Sequence, residues 1–349
     1  MPGLFTDDIG SVPLPQGVDK NRMRSIASGI IDGSCSPSDK SYFNRVVSEL
    51  MAGKLSSGLD RPNYPQVSDM IDSFFTPMEL FSEPDEPWVV VKEKAFIPEL
   101  DAIKDVAKKQ FEEKNTPVEL RVCVTGPLDL YVRKVSTQVQ SDLLLNIAKS
   151  VSRFVENSLM NKEYLKTKVV SIDEPSFGLN PNILVEADDL IKAWDIAVEP
   201  AKDLDVQVHL HSSVQAEVAY QTKNIQIIGI ESAEDPRNLD AINKHDLESY
   251  DRFLRLGIAR TNISALASEY EQKTGVNVWS DQAKLLEMID AMENTRTIVG
   301  RLKGAWNVFG DRIKYVGPDC GMGLWPSSDS AIKLIGNTVT AVREFKDGK

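Results

Sequence analysis

The sequence predicts an α/β chain folded as a single (β/α)8 barrel over residues 1–349. Three observations lead there. From residue 115 onward, short β-branched or apolar runs alternate with longer segments of helical period. Repeated strand-then-helix units imply a parallel sheet covered by helices. The strands number eight when the N-terminal third is included, enough to close a barrel. An open doubly wound sheet fits less well, because no glycine-rich fingerprint follows a strand.

The first strand is read at Leu4–Gly10 and a weaker second one ending near Gly58-Leu59-Asp60. Residues 61–95, with Pro, Glu and Phe concentrated between Phe74 and Pro87, read as an excursion after that second strand rather than as a linker. The remaining strands are expected at Val118–Val124, Lys168–Ile172, Val206–His211, Ile225–Ile230, Arg252–Ile258 and Ile313–Val316. Between the first two of these, Leu144, Ile147, Ala148, Val151, Val155 and Leu159 recur at helical spacing and mark one apolar face. Further helices are expected at about 187–203, 281–303 and 328–345, the last capped by Ser327 or Ser328 after Pro326.

Composition narrows the partners. A formal net charge of -12 with scattered Lys and Arg argues against binding nucleic acid. No apolar run approaches the roughly 20 residues that span a bilayer, and Met1-Pro2-Gly3 leads into acidic Asp7-Asp8 without a signal-peptide core. A cytoplasmic location away from membranes is the expectation. Cys35, Cys123 and Cys320 are too few and too scattered for a disulfide framework and are read as reduced thiols.

In a barrel of this kind the site lies at the C-terminal ends of the strands. VQVHLHSS, Val206 to Ser213, alternates apolar and polar residues and puts Gln207, His209 and His211 on one strand face. Such histidines serve as hydrogen-bonded rim residues or as metal ligands. His211, Glu231 and Cys320 each end a strand, and imidazole, carboxylate and thiolate together suit zinc. Polar residues converge at the strand ends of every barrel enzyme, so both readings stand on the residues alone.

Six short motifs in register carry a resemblance. IGSVP near the start, VTGP, SIDEP, HLH, GIES and GPDCG resemble cobalamin-independent methionine synthase over nearly the whole chain. The likeness is to the C-terminal catalytic barrel alone, as in the short archaeal and bacterial forms without an N-terminal barrel. It implies Zn2+ held by His211, Glu231 and Cys320, with L-homocysteine as acceptor. It also implies substrate contacts from Ile9, Gly10, Ser11 and Asp173, the last through the ammonium group.

Three positions depart from the family pattern. A ligand cysteine falls on Ser213, leaving the fourth place to His209, Ser213, water or the substrate sulfur. A glutamate that binds the ammonium falls on Tyr64, with Gln66 and Asp69 nearby, and a proton-donating histidine falls on Asn262. Glu174 either orients a metal ligand or is a satisfied strand-end carboxylate.

The implied reaction moves a methyl group to a thiol, which zinc keeps as the nucleophilic thiolate. A methylcorrinoid, free or held by a corrinoid protein, is expected as donor in place of methyltetrahydrofolate, since a cobalt(I) leaving group needs no proton and Asn262 offers none. Two alternatives accompany this reading: transfer to another thiol such as coenzyme M, and a non-catalytic barrel that has lost its metal.

Overall fold

A computed structural model describes residues 3–348, so Met1 and Pro2 of the N-terminal stretch read for a signal peptide lie outside the described residues. The strands are β1 Phe5–Thr6, β2 Ser82–Glu83, β3 Glu86–Val90, β4 Val118–Thr125 and β5 Leu165–Asp173, then β6 Asp205–Leu210, β7 Ile227–Ile230, β8 Phe253–Ala259 and β9 Ile313–Pro318. Seven of them form one parallel sheet in the order β1-β9-β8-β7-β6-β5-β4; β2 and β3 make a separate antiparallel hairpin. The fold is α/β.

The second strand expected near Gly58-Leu59-Asp60 is not there. The helix Pro37–Ser57 runs through that region and stops at Gly58, whose φ of 82° is a left-handed cap. Sheet contact comes later, from residues 61–66. Arg61 N–H donates to the Thr6 carbonyl (2.9 Å), Arg121 N–H to the Pro62 carbonyl (3.0 Å) and Gln66 N–H to the Gly10 carbonyl (3.3 Å). These isolated bridges span the gap between β1 and β4 and curl the sheet. Pro62 and Pro65 lack the N–H groups a continuous ladder needs, so no regular strand forms. The rest of the expected excursion is the helix Asp72–Leu80 and the β2–β3 hairpin.

The helices follow their sequence signals with two breaks. The expected helix 281–303 divides into Gln282–Met292 and Thr295–Phe309, because Asn294 turns its side chain to cap the second. The helix Ala187–Val198 ends in a 3-10 turn that contains Pro200. Ser327 caps Ser328–Asp347 by accepting the Ser330 N–H. The helix Ser141–Asn157 buries Leu144, Ile147, Ala148, Val151 and Val155, the stripe read from the sequence.

Inward positions of the strands carry charge as well as aliphatic side chains. Arg121 and Arg255 are fully buried; Arg255 Nε donates to Asp7 Oδ1 (2.9 Å) and Arg121 Nε to Gln207 Oε1 (3.2 Å). Lys54, also buried, donates to Asp8 Oδ2 (2.6 Å) and the Gly10 carbonyl (2.7 Å). Buried charges persist only when paired, and this network ties β1, the helix Pro37–Ser57, β4, β6 and β8 together beneath the strand ends. No helix is long and apolar enough to cross a membrane among the described residues.

Candidate metal centre

At the C-terminal ends of β6, β7 and β9 the sheet brings four potential ligands together. One donor atom each from His209, His211, Glu231 and Cys320 lies within 4.8 Å of the others. His211 Nε2 stands 3.2 Å from Glu231 Oε1 and 3.4 Å from Cys320 Sγ, and His209 Nε2 stands 3.8 Å from Glu231 Oε1. His209 and His211 share a face because two residues along a strand return to the same side. Their rings meet nearly edge to face, centroids 5.3 Å apart at 68°.

The electrostatics of this cluster are those of a group that could take a cation. Burial depresses the His211 pKa to about 4, with Arg133 adding to the effect, so the ring is a neutral ligand at neutral pH. Burial, then the nearby Asp319, raises Glu231 to about 7, and burial with Glu231 beside it holds the Cys320 thiol well above its ordinary value. Two groups that ligate as anions are thus penalised as anions. A divalent ion between them would reverse that penalty, since bound cations invert the local pKa logic. Both ring nitrogens of His209 and Glu231 Oε1 are buried without a hydrogen-bond partner among the described residues, which suits a donor set for a cation.

Backbone devices hold the ligand loops. Asp319 Oδ1 accepts the N–H groups of Ser232 (3.0 Å) and Ala233 (2.9 Å), and Oδ2 accepts that of Glu234 (2.7 Å). One carboxylate therefore fastens the loop after Glu231 to the loop that carries Cys320. It fits because β8 has Gly257 opposite: a Cβ there would lie 1.8 Å from Asp319 Oδ1 and 2.7 Å from its Cα. Asn238 forms a second bracket, donating to the carbonyls of His211 (3.2 Å) and Glu231 (2.8 Å). Its Oδ1 accepts from both the backbone N–H and the hydroxyl of Ser213 (3.3 Å each).

The remaining expected residues are distributed unevenly. Ser11 adjoins the cysteine loop: its Oγ accepts the Gly323 N–H (3.2 Å) and its carbonyl the Met322 N–H (2.8 Å). Ile9 and Gly10 present their carbonyls inward, to Asn63 Nδ2 (2.7 Å) and Lys54 Nζ (2.7 Å). Asp173 ends β5, accepts the Ser171 hydroxyl (3.0 Å) and lies 3.9 Å from Arg121 Nη2. Burial raises its pKa, against the opposing pull of Arg121.

Three residues are engaged elsewhere. Tyr64 is buried and donates its hydroxyl to the Cys123 carbonyl (2.8 Å). The Glu174 carboxylate sits at the start of the helix Pro127–Lys134, accepting the N–H groups of Leu128 (3.0 Å) and Asp129 (2.6 Å) and the indole of Trp194 (2.8 Å). Its backbone N–H donates to the His209 carbonyl (2.9 Å). Asn262 is exposed and caps the helix Ile263–Thr274 by accepting the Ala265 N–H (3.1 Å).

Sequence reasoning missed the Asp319 clamp, Asn238 and the interior arginines. An arginine inside an apolar run, as in VELRVCVT and FLRLGIA, was the available signal for the last.

No family model and no curated protein matches the sequence. Solved structures do. A B12-independent methionine synthase from Shewanella sp. W3-18-1, in complex with selenomethionine, superposes with a TM-score of 0.59 at 14% identity, over 99% of this chain and 100% of that one. A methyltransferase from Methanosarcina mazei gives 0.53 at 11% identity, over 97% and 94% respectively. At such low identities the likeness establishes the fold: the whole chain has the architecture these two enzymes share.

Proposed function

We propose that this protein is a zinc-dependent methyltransferase that moves a methyl group to the thiol of L-homocysteine, forming methionine, with a methylcorrinoid as donor. The observation that carries the reading is the convergence of imidazole, carboxylate and thiol donor atoms within 4.8 Å at the strand ends. The six motifs support it, as do the names of the two structural neighbours. In this reading residues 61–66 take the place of the second strand and close an eight-membered barrel.

His211, Glu231 and Cys320 would hold the zinc. Bound there, zinc supplies Lewis acidity that keeps an acceptor sulfur as thiolate at neutral pH. The chain's own residues then bind and align the acceptor. Asp173, buried at the end of β5, would offer a carboxylate to the ammonium group, and Ser11 borders the loop that carries Cys320. Holding the sulfur against an incoming methyl carbon makes the transfer effectively unimolecular. The S–C bond forms as the bond to the donor breaks, and the electron pair leaves with the corrinoid, so no general acid is required. Asn262, committed to its helix cap, supplies none.

The test is methionine formation by the zinc-loaded protein from homocysteine and methylcobalamin, with methyltetrahydrofolate in parallel. Product from the folate alone would overturn the donor assignment, and product from neither donor would overturn the activity. A second acceptor is favoured by Tyr64, whose hydroxyl is spent on the Cys123 carbonyl and leaves one ammonium contact missing. Coenzyme M in competition with homocysteine decides between them: the preferred thiol demethylates methylcobalamin faster at equal concentration.

A further inference from the structure

We propose that His209 is a fourth protein ligand of the metal, filling the position that the sequence resemblance gives to Ser213. The assignment rests on the metal-centre reading above and concerns its coordination. His209 is only 2% exposed, yet neither Nδ1 nor Nε2 has a hydrogen-bond partner among the described residues. A buried imidazole with both nitrogens unpaired is costly, and a metal bond is one way to satisfy it. Nε2 faces Glu231 Oε1 at 3.8 Å, and that oxygen is itself buried without a hydrogen-bond partner among the described residues.

The surroundings favour the ring as ligand. The ring lies against His211, with ring centroids 5.3 Å apart, at the end of the same strand face. Across the ladder from His209 stands Gly229, where a Cβ would come within 3.3 Å of the His209 Cα and 3.6 Å of Nδ1. The missing side chain lets the two strand backbones approach closely beside the ring, since that Cβ would also lie 3.0 Å from the Val208 carbonyl oxygen.

Ser213 is drawn the other way. Both its hydroxyl and its backbone N–H go to Asn238, which braces the carbonyls behind His211 and Glu231. A neutral hydroxyl is in any case a poor zinc donor beside a thiolate. Ser213 thus supports the ligand loops, and the shell becomes two imidazoles, one carboxylate and one thiolate. Two ligand charges balance a divalent ion, leaving the shell neutral before an acceptor thiolate adds its charge.

The experiment is zinc binding and zinc K-edge X-ray absorption on the full chain without thiol, for wild type, His209→Ala, His209→Gln, Ser213→Ala and Ser213→Cys. Wild type should bind one zinc with two imidazoles and one sulfur. His209→Ala and His209→Gln should lose one imidazole, and zinc affinity by chelator competition should fall at least about a hundredfold, the upper end of what even outer-shell changes cost. Ser213→Ala should keep wild-type affinity, while Ser213→Cys should gain a sulfur.

A single imidazole in zinc-loaded wild type, or equal loss of affinity in Ser213→Ala and His209→Ala, would overturn the assignment alone. A wild-type chain that binds no zinc would overturn the metal reading beneath it. If the His209 variants do not fold, judged by circular dichroism, the wild-type imidazole count decides by itself.

Discussion

Replacing Asp319 should loosen the metal centre without touching a metal ligand. Asp319→Ala removes the acceptor for three N–H groups, of which Ser232 and Ala233 are buried and Glu234 is half-buried. Two orphaned buried donors cost about 2–6 kcal/mol together, while the third finds water. Part of this is returned. Burial raises the Asp319 pKa from 3.8 to about 6 even against those hydrogen bonds, so removing the ionised group relieves about 3 kcal/mol. The net change in stability is therefore small, between about 1 kcal/mol gained and about 3 kcal/mol lost, but Glu231 and Cys320 lose their common anchor. Zinc affinity should fall about 10- to 100-fold, as for other supporting contacts around metal ligands.

Asp319→Asn distinguishes the geometry from the charge. Its amide oxygen can keep the Ser232 and Ala233 N–H groups, both held by Oδ1, while its NH2 would oppose the Glu234 N–H. Affinity should fall between wild type and Asp319→Ala. Gly257→Ala should mimic the clamp loss from the far side, because the new Cβ would overlap Asp319 Oδ1. Chelator competition measures affinity and guanidinium unfolding measures stability. Wild-type zinc affinity in both Asp319→Ala and Gly257→Ala would refute the clamp.

Three further outcomes follow from the geometry. Burial and then Asp129 raise Glu174 to about 8 from 4.5, so the folded chain keeps a proton that the unfolded chain releases. Its contribution to stability is complete below about pH 4.5 and is lost by about pH 8, a fall of a few kcal/mol. Unfolding midpoints at about pH 5 and about pH 8 should differ less in Glu174→Gln than in wild type; equal differences would dismiss Glu174 as the cause. Asn262→Ala should cost about 1 kcal/mol through its helix cap and leave methyl transfer from methylcobalamin unchanged, so a large fall in kcat with intact folding would make Asn262 part of the chemistry. Tyr64→Phe should lose about 1 kcal/mol with its bond to the Cys123 carbonyl and keep the wild-type KM for the thiol, whereas a raised KM would place its hydroxyl on the substrate.

Much of the scaffold was legible because it rests on local periodicity. The stripe from Leu144 to Val155, the Ser327 cap and the seven strands of the parallel sheet each follow from residues close in sequence. The second strand position was misplaced because its chain segment has no strand periodicity. Arg61 to Gln66 pairs through scattered bridges, and two prolines interrupt it. The helix before it ends at Gly58, a turn signal that also suits the end of a strand.

The sequence by itself determined which residues could ligate a metal and which end of the strands would carry them, since strand alternation puts His209 and His211 on one face and each apolar run points to its own terminus. Tertiary structure alone decided their employment. Asn262 and Ser213 are diverted to a helix cap and to Asn238, Tyr64 turns to the Cys123 carbonyl, and His209 is left with two unpaired nitrogens beside Glu231. The physical reason is that hydrogen-bond satisfaction is a property of three-dimensional neighbours. Asp319 reaches Ser232 across 87 positions of sequence, and no local pattern records which buried donor will find which acceptor.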